Sequence, residues 1–333
     1  MTFTINPSLD KNTSLERIQP EKKLRCDTPA YEPGGGGINV SRAIKILGGE
    51  STAIYTSGGT AGDMLKELLN KEGVDQHSIK VRNPTRENLI VIEKSTTNQY
   101  RFGMPGNAMS EDEMQECITT LENLPADTEY LVASGSLPPG MPGDFYGKIA
   151  EIANDKKIKL ILDTSGEALI KAVRKGVYLM KPNLRELSQL ARRDQVSGIE
   201  QEEIARKIID EGTAEILVLS LGARGAMVAT KDYTQYVVPP TVKQLNTVGA
   251  GDSMVAGIVL SLSRGKSLHE SVKWGVAAGT AATLTPGTEL CRKNDVERIF
   301  EWLSSQEKVK NPKKILYERS ERKEGSNSGY QRI

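Results

Sequence analysis

The stretch KLILDTSGEALIKAVRKGVYLMKPN, Lys159 to Asn183, reads as strand, helix, strand. Lys159–Asp163 is an apolar run with a polar end, residues 165–174 have helical composition, and Tyr178–Lys181 is a second apolar run. Runs that are apolar at consecutive positions belong to strands covered on both faces, and a helical crossover makes two such strands parallel. The same rhythm extends outward. YLVAS at 130–134, ILVLS at 216–220 and TAIYT at 52–56 add strands, and helical segments fall near 111–122, 142–154 and 200–210. Two long helices rich in small residues follow, near 250–262 and 270–284. The expectation is an α/β fold, a mostly parallel sheet with helices on both faces.

Two segments break this rhythm. Residues 10–32 show no helical period. Residues 86–104 read as a hairpin, with Leu89–Ile92, a polar turn over Ser95–Asn98, and Tyr100, Phe102 and Met104 on alternate positions. Together they predict a small β-sheet standing off the main body as a lid. Its alternating apolar face needs a cover, which a second copy of the chain would supply, so a homodimer through the lids is expected. The predicted division is a main domain of 1–9, 33–85 and 108–305, a lid of 10–32 and 86–107, and a charged tail of 306–333. The tail is too poor in apolar residues to bury a core, and disorder is its expected state.

Composition excludes several classes of function. The formal charge is +1, from 44 basic and 43 acidic residues, which argues against general nucleic-acid binding. No stretch has the apolar length of a membrane helix, and MTFTINPSLD lacks the basic start and apolar core of a signal peptide. A cytoplasmic protein with no membrane partner is expected. Three widely spaced cysteines form neither a disulfide framework nor a zinc pattern. With two histidines, His77 and His269, neither in a motif, acid–base chemistry falls to a carboxylate.

Two glycine-rich stretches carry the chemistry. YEPGGGGINVSRAIKILGG, Tyr31–Gly49, sets four glycines before an amphipathic helix in which Val40, Ala43, Ile44 and Leu47 share a face. The run is either a turn with a helix start or bare backbone laid against a ligand. It is not a dinucleotide fingerprint, because Asn39 stands where a glycine is required, and no P-loop is present. An NAD-dependent dehydrogenase is therefore disfavoured. In TVGAGDS, Thr247–Ser253, the amides of Gly249, Ala250 and Gly251 precede a helix with a buried stripe and form an anion site. Asp252 on its first turn is either a helix-start stabiliser or a base beside an anion hole.

G-A-G-D at a helix start, G-G-G-G-I-N near the N-terminus and K-P-N-x-x-E between them resemble the PfkB (ribokinase-like) family of sugar kinases, from about Asn6 to Leu303. PEKKLRC, TRENL, SGSLPPG and SLGARGA resemble most the members that phosphorylate fructose 6-phosphate. Kinases of fructose 1-phosphate and tagatose 6-phosphate are the alternative, usually with Lys at the position of Gly36. A non-catalytic sensor on the same fold would be expected to lose Asp252.

The resemblance implies a ribokinase-like fold and assigns the site. Asp10, Asn39 and the backbone of Gly34 and Gly35 would hold the sugar, with Ser136 of SGSLPPG beside them. Asp252 would take the hydroxyl proton, and the Gly249–Gly251 amides would stabilise the transferring phosphate. Lys181 and Asn183 would meet ATP, with Glu186 on its Mg²⁺. Ser220 and Gly222 would contact phosphate and ribose, and adenine would lie near Ala278. Lys23, Arg25 and Arg86, with Arg101 nearby, would clamp the phosphate already on the sugar. Family members often bind a monovalent cation such as K⁺ beside G-A-G-D. Asn246 stands where Asp is frequent and Glu289 where a ligand is expected, so the resemblance leaves that cation open.

Overall fold

The computed structural model describes residues 1–196 and 198–309. Among these, nine strands form one sheet. From one edge to the other they are Thr234–Val237, Ala226–Ala229, Ala214–Ser220, Val177–Met180, Lys159–Asp163, Tyr130–Ser134, Thr2–Thr4, Thr52–Ser57 and Asp75–Lys80. The pairs from Ala214–Ser220 through to Asp75–Lys80 are parallel, and the first two strands add antiparallel at the edge.

Period two explains the two cores. Leu160, Leu162, Leu217 and Leu219 point to one face, where they pack with Cys117, Tyr146 and Leu169. Ile161, Ile216 and Val218 point to the other, under Val40, Val255, Ile258 and Val276. Central strands such as Lys159–Asp163 and Ala214–Ser220 therefore bury both faces beneath helices, which is why their runs are largely apolar.

A second sheet of four strands runs Ala30–Gly34, Ser8–Leu15, Arg86–Glu93, Gln99–Phe102. The hairpin expected over 86–104 is present, with Leu89 opposite Phe102 and Val91 opposite Tyr100. This small sheet starts at Ser8 rather than residue 10 and takes in Gly34, and Asp10 lies within its strand Ser8–Leu15. The last helix, Lys293–Val309, continues into the stretch read as tail; residues 310–333 lie outside the described residues. No helix among the described residues is long and apolar enough to cross a membrane.

Candidate active site

The four glycines are required first by the protein itself. A Cβ on Gly34 would lie 2.6 Å from Asp10 Oδ2, and one on Gly37 would lie 2.6 Å from the Phe3 carbonyl oxygen. Gly36 has Ser134 against it in the same way. The run lets the helix Gly36–Ile46 start directly on the carboxyl edge of the sheet. That places Asn39 over the edge, where Asn39 Nδ2 donates to Asp252 Oδ2 at 2.9 Å.

Asp252 sits on the first turn of the helix Ala250–Ser263. Gly249 opens that helix in the left-handed region, φ 68°, with Leu290 so close that a Cβ would lie 2.5 Å from its Cδ2. The first amides of a helix have no intrahelical acceptor, so those of Ala250 and Gly251 are free to meet an anion. Burial, with the charge of Asp163 adding to it, pushes the Asp252 carboxyl up to about 6, against the opposing pull of Asn39 and Lys181. A carboxylate so placed is ionised near neutrality and still basic enough to accept a proton.

Asp163 ends the strand Lys159–Asp163, and its Oδ1 meets Lys181 Nζ at 3.1 Å; both side chains are largely buried. Lys181 also lies against the start of the Asp252 helix, its Nζ 3.3 Å from where a Gly251 Cβ would be. Sequence reasoning missed Asp163. Its signal was available in KLILD, whose polar residue ends a buried strand at the same edge as YLMK.

Asn183 and Glu186 form a capping box on the helix Leu184–Leu190. Asn183 Oδ1 accepts from the Glu186 amide at 2.9 Å, and Glu186 Oε2 accepts from the Asn183 amide at 2.8 Å. Burial and the charge of Asp163 raise the Glu186 carboxyl. Among the described residues no group of three acidic, histidine or cysteine side chains could hold a metal by itself. Mg²⁺ carried on nucleotide phosphates keeps water in its shell and is bound through one or two carboxylates. Glu186 Oε1 makes no hydrogen bond in the capping box and is the oxygen available for such a shell.

A cleft of ≈ 490 Å³ opens beside Ala250 and Gly251 and continues past Ser220, Gly222, Pro239, Val276 and Gly279. Ser220 and Gly222 thus line this cleft. Ala278 does not line it. That side chain is fully buried in the core against Gly257, because the helix Leu268–Ala282 turns Val276, Gly279 and Thr280 to the cleft instead.

On the opposite side, Asp10 accepts from Ser8 Oγ at 2.7 Å and Asn88 Nδ2 at 2.8 Å. Arg86 donates to the carbonyls of Met104 at 2.6 Å and Asn6 at 3.1 Å, while its Nε is buried without a partner. Burial lowers the Arg86 pKa and the nearby Asp10 carboxylate opposes the shift. Ser136 is exposed and meets Asn6 Nδ2 at 3.3 Å. Lys23 and Arg25 are not gathered here. They are exposed on the segment between Ser8–Leu15 and Ala30–Gly34, and no hydrogen bond or ion pair joins them to Arg86. Arg101 reaches instead toward Thr247 Oγ1, at 3.5 Å.

The expected cation residues divide. Asn246 is buried and donates to the Thr285 carbonyl at 3.2 Å. Glu289 is spent on a bidentate pair with Arg292, at 2.7 and 2.9 Å, which turns its carboxylate to the surface.

The pattern of the pfkB family of carbohydrate kinases matches residues 6–295. This chain belongs to that family. Like its pfkB relatives, it is a kinase. It is 44% identical over 301 residues to the ATP-dependent 6-phosphofructokinase isozyme 2 of Mycobacterium tuberculosis, covering 90% of this chain and 88% of that one. It is also 44% identical to the Escherichia coli K12 protein of the same name, covering 91% and 98%. The crystal structure of phosphofructokinase-2 from Escherichia coli in complex with potassium superposes with a TM-score of 0.88, at 44% identity, covering 91% and 98%. Other structures of phosphofructokinase-2 from that organism contain fructose 6-phosphate or show a tetrameric inhibited form. The fold extends to a ribokinase from Arabidopsis thaliana, TM-score 0.68 at 18% identity, covering 90% and 97%; the pfkB chain is ribokinase-like.

Proposed function

We propose that this pfkB kinase transfers the γ-phosphoryl group of Mg-ATP to the C1 hydroxyl of fructose 6-phosphate, giving fructose 1,6-bisphosphate and ADP. The observation that carries the reading is Asp252: a raised carboxyl on the first turn of a helix whose Ala250 and Gly251 line a nucleotide-sized cleft, close enough to Asp10 to feel its charge, with Arg86 in turn within reach of Asp10. The relatives named 6-phosphofructokinase support the choice of sugar.

The steps balance with this chain's own groups. Asp10 and Asn39, with the backbone of Gly34 and Gly35, orient the sugar, and Arg86 holds its existing phosphate far from the transfer point. Asp252 takes the C1 hydroxyl proton as that oxygen bonds to the γ-phosphorus. The bond to the β–γ bridging oxygen breaks and its electron pair leaves with ADP. The amides of Gly249, Ala250 and Gly251 meet the charge on the transferring group without reorganising. Lys181 is fixed by Asp163 beside the same helix start. Glu186 would hold Mg²⁺, with Asn183 and Lys181 near the phosphates, and the ion would supply positive charge against the nucleotide. Ser220 and Gly222 support the phosphate and ribose.

Three further readings belong to the same proposal. The enzyme acts in the cytoplasm. A homodimer forms through the lids, whose Tyr100, Phe102 and Met104 are exposed in the single chain. A monovalent cation binds near the Asn246–Thr285 contact, as the potassium complex of the Escherichia coli protein suggests by analogy. An ADP-release assay across fructose 6-phosphate, fructose 1-phosphate and tagatose 6-phosphate tests the substrate. A higher kcat/KM on either of the latter two would reassign the chain within the family.

A further inference from the structure

Asn39 can serve Asp252 only if its amide group points the right way. A side-chain amide is half donor and half acceptor, while an ionised carboxylate has no donor, so the NH₂ end must face Asp252. What fixes the other end is Arg42, one turn along the same helix. Arg42 Nη1 approaches Asn39 Oδ1 at 3.4 Å and donates to the Pro33 carbonyl at 2.9 Å. Arginine has no acceptor, so it can only donate, and only the oxygen end of Asn39 can receive that bond. The guanidinium is itself locked: Nε and Nη2 meet Glu72 Oε2 and Oε1 at 2.6 and 2.7 Å, and Arg42 is 8% exposed.

We infer that Arg42 is a positioning residue, anchored by Glu72, that sets the orientation of Asn39 and through it the placement of Asp252. The contact to Pro33 adds a second constraint. Pro33 lies in the strand Ala30–Gly34 of the small sheet, directly before Gly34, so one guanidinium spans that strand, the sugar-facing helix and the base's partner. A buried ion pair with Glu72 alone would need neither the Pro33 nor the Asn39 contact. Only the planar fork of arginine makes all these bonds at once; the single ammonium of lysine cannot. The inference rests on Asp252 acting as the base.

A double-mutant cycle with the full chain tests it. Arg42→Lys keeps a positive charge for Glu72 and should lower kcat by about tenfold to hundredfold, the loss expected from a misplacement of around an ångström. KM for ATP should stay unchanged. In an Asn39→Ala background the same substitution should cost almost nothing further, because the group it acts through is gone. Glu72, one-third exposed, allows the link to be tested from the end where folding is least at risk. Glu72→Ala should lower kcat in the same direction, and again not in the Asn39→Ala background. Losses that multiply across the cycle, or a lowered Tm with kcat untouched in either variant, would overturn the inference. Asp252→Asn reports separately on the base. If that variant kept its turnover the base would be misassigned, yet the coupling of Arg42 to Asn39 would still be read from the cycle.

Discussion

Lys181 Nζ stands 3.1 Å from Asp163 Oδ1, the two side chains arriving from the ends of neighbouring parallel strands. The pair is buried at the foot of the Asp252 helix, and its two charges act on Asp252 in opposite senses, Asp163 raising its pKa and Lys181 lowering it. The carboxyl proposed as base is thus tuned by groups that a parallel sheet delivers to one edge.

Replacing Asp252 by Asn should reduce kcat by at least about a hundredfold, the lower range for loss of a general base. Nucleotide affinity, measured by equilibrium titration, should survive. In the wild type, kcat should fall as pH drops through about 6, where Asp252 takes up a proton. Stability runs the other way. The folded pKa is raised above 3.8, so the contribution of the bound proton is fully present below 3.8 and lost as pH rises through about 6. Asp252→Asn should therefore have a higher Tm than wild type well above pH 6, with the gap closing in acid. An unchanged kcat with no gap in Tm would refute both parts.

Gly249→Ala addresses the anion hole. An alanine in the left-handed region costs about 1–2 kcal/mol, and here its methyl would also collide with Leu290. Thermal melting should show a lowered Tm, and kcat should fall because the amides of Ala250 and Gly251 are displaced. A variant with wild-type Tm and kcat would show that this backbone geometry is not needed.

Arg86→Ala should raise KM for fructose 6-phosphate by well over about tenfold, since losing one partner of a buried charge-assisted contact typically costs ~2–5 kcal/mol. KM for ATP should hardly change, because Arg86 does not line the cleft proposed to take the nucleotide. Unphosphorylated fructose is the control: its weak turnover should be indifferent to the substitution. If ATP binding suffered and fructose 6-phosphate did not, Arg86 would not be the phosphate clamp.

The lid face offers a test by sedimentation. Phe102 and Met104 are nearly half exposed, and apolar area left in water costs roughly 25 cal/mol per Å². Phe102→Asp should shift a dimer toward monomer at micromolar protein and lower activity with it. A wild-type chain that sediments as a fully active monomer would remove the dimer from the proposal.

Much of this was legible before any coordinates. Tyr130–Ser134 and Lys159–Asp163 could be bounded from the sequence because burial on both faces leaves continuous apolar runs. Asp252 and the Gly249–Gly251 amides could be named because helix starts have local chemistry. The lid edge at Ser8 could not, because a half-buried strand such as SLDKNTSL carries no apolar alternation. Ala278 was misjudged for a related reason: in a helix rich in small residues, composition does not say which face meets the core and which the cleft.

The sequence by itself determined the parallel α/β body, carried the motifs by which the chain resembles its kinase family, and singled out Asp252 as the carboxylate proposed as base. Those follow from periodicity and from short stretches whose chemistry is local. The tertiary structure alone decided that Asp163 and Lys181 pair beside the Asp252 helix, that Arg86 is held by the Met104 and Asn6 carbonyls while Lys23 and Arg25 stay on the surface, and that Glu289 is spent on Arg292. It also brought Asn39 to Asp252 across 213 residues of chain. Hydrogen bonds and charge effects depend on separations of a few ångströms, and for residues that far apart only the packed fold sets them.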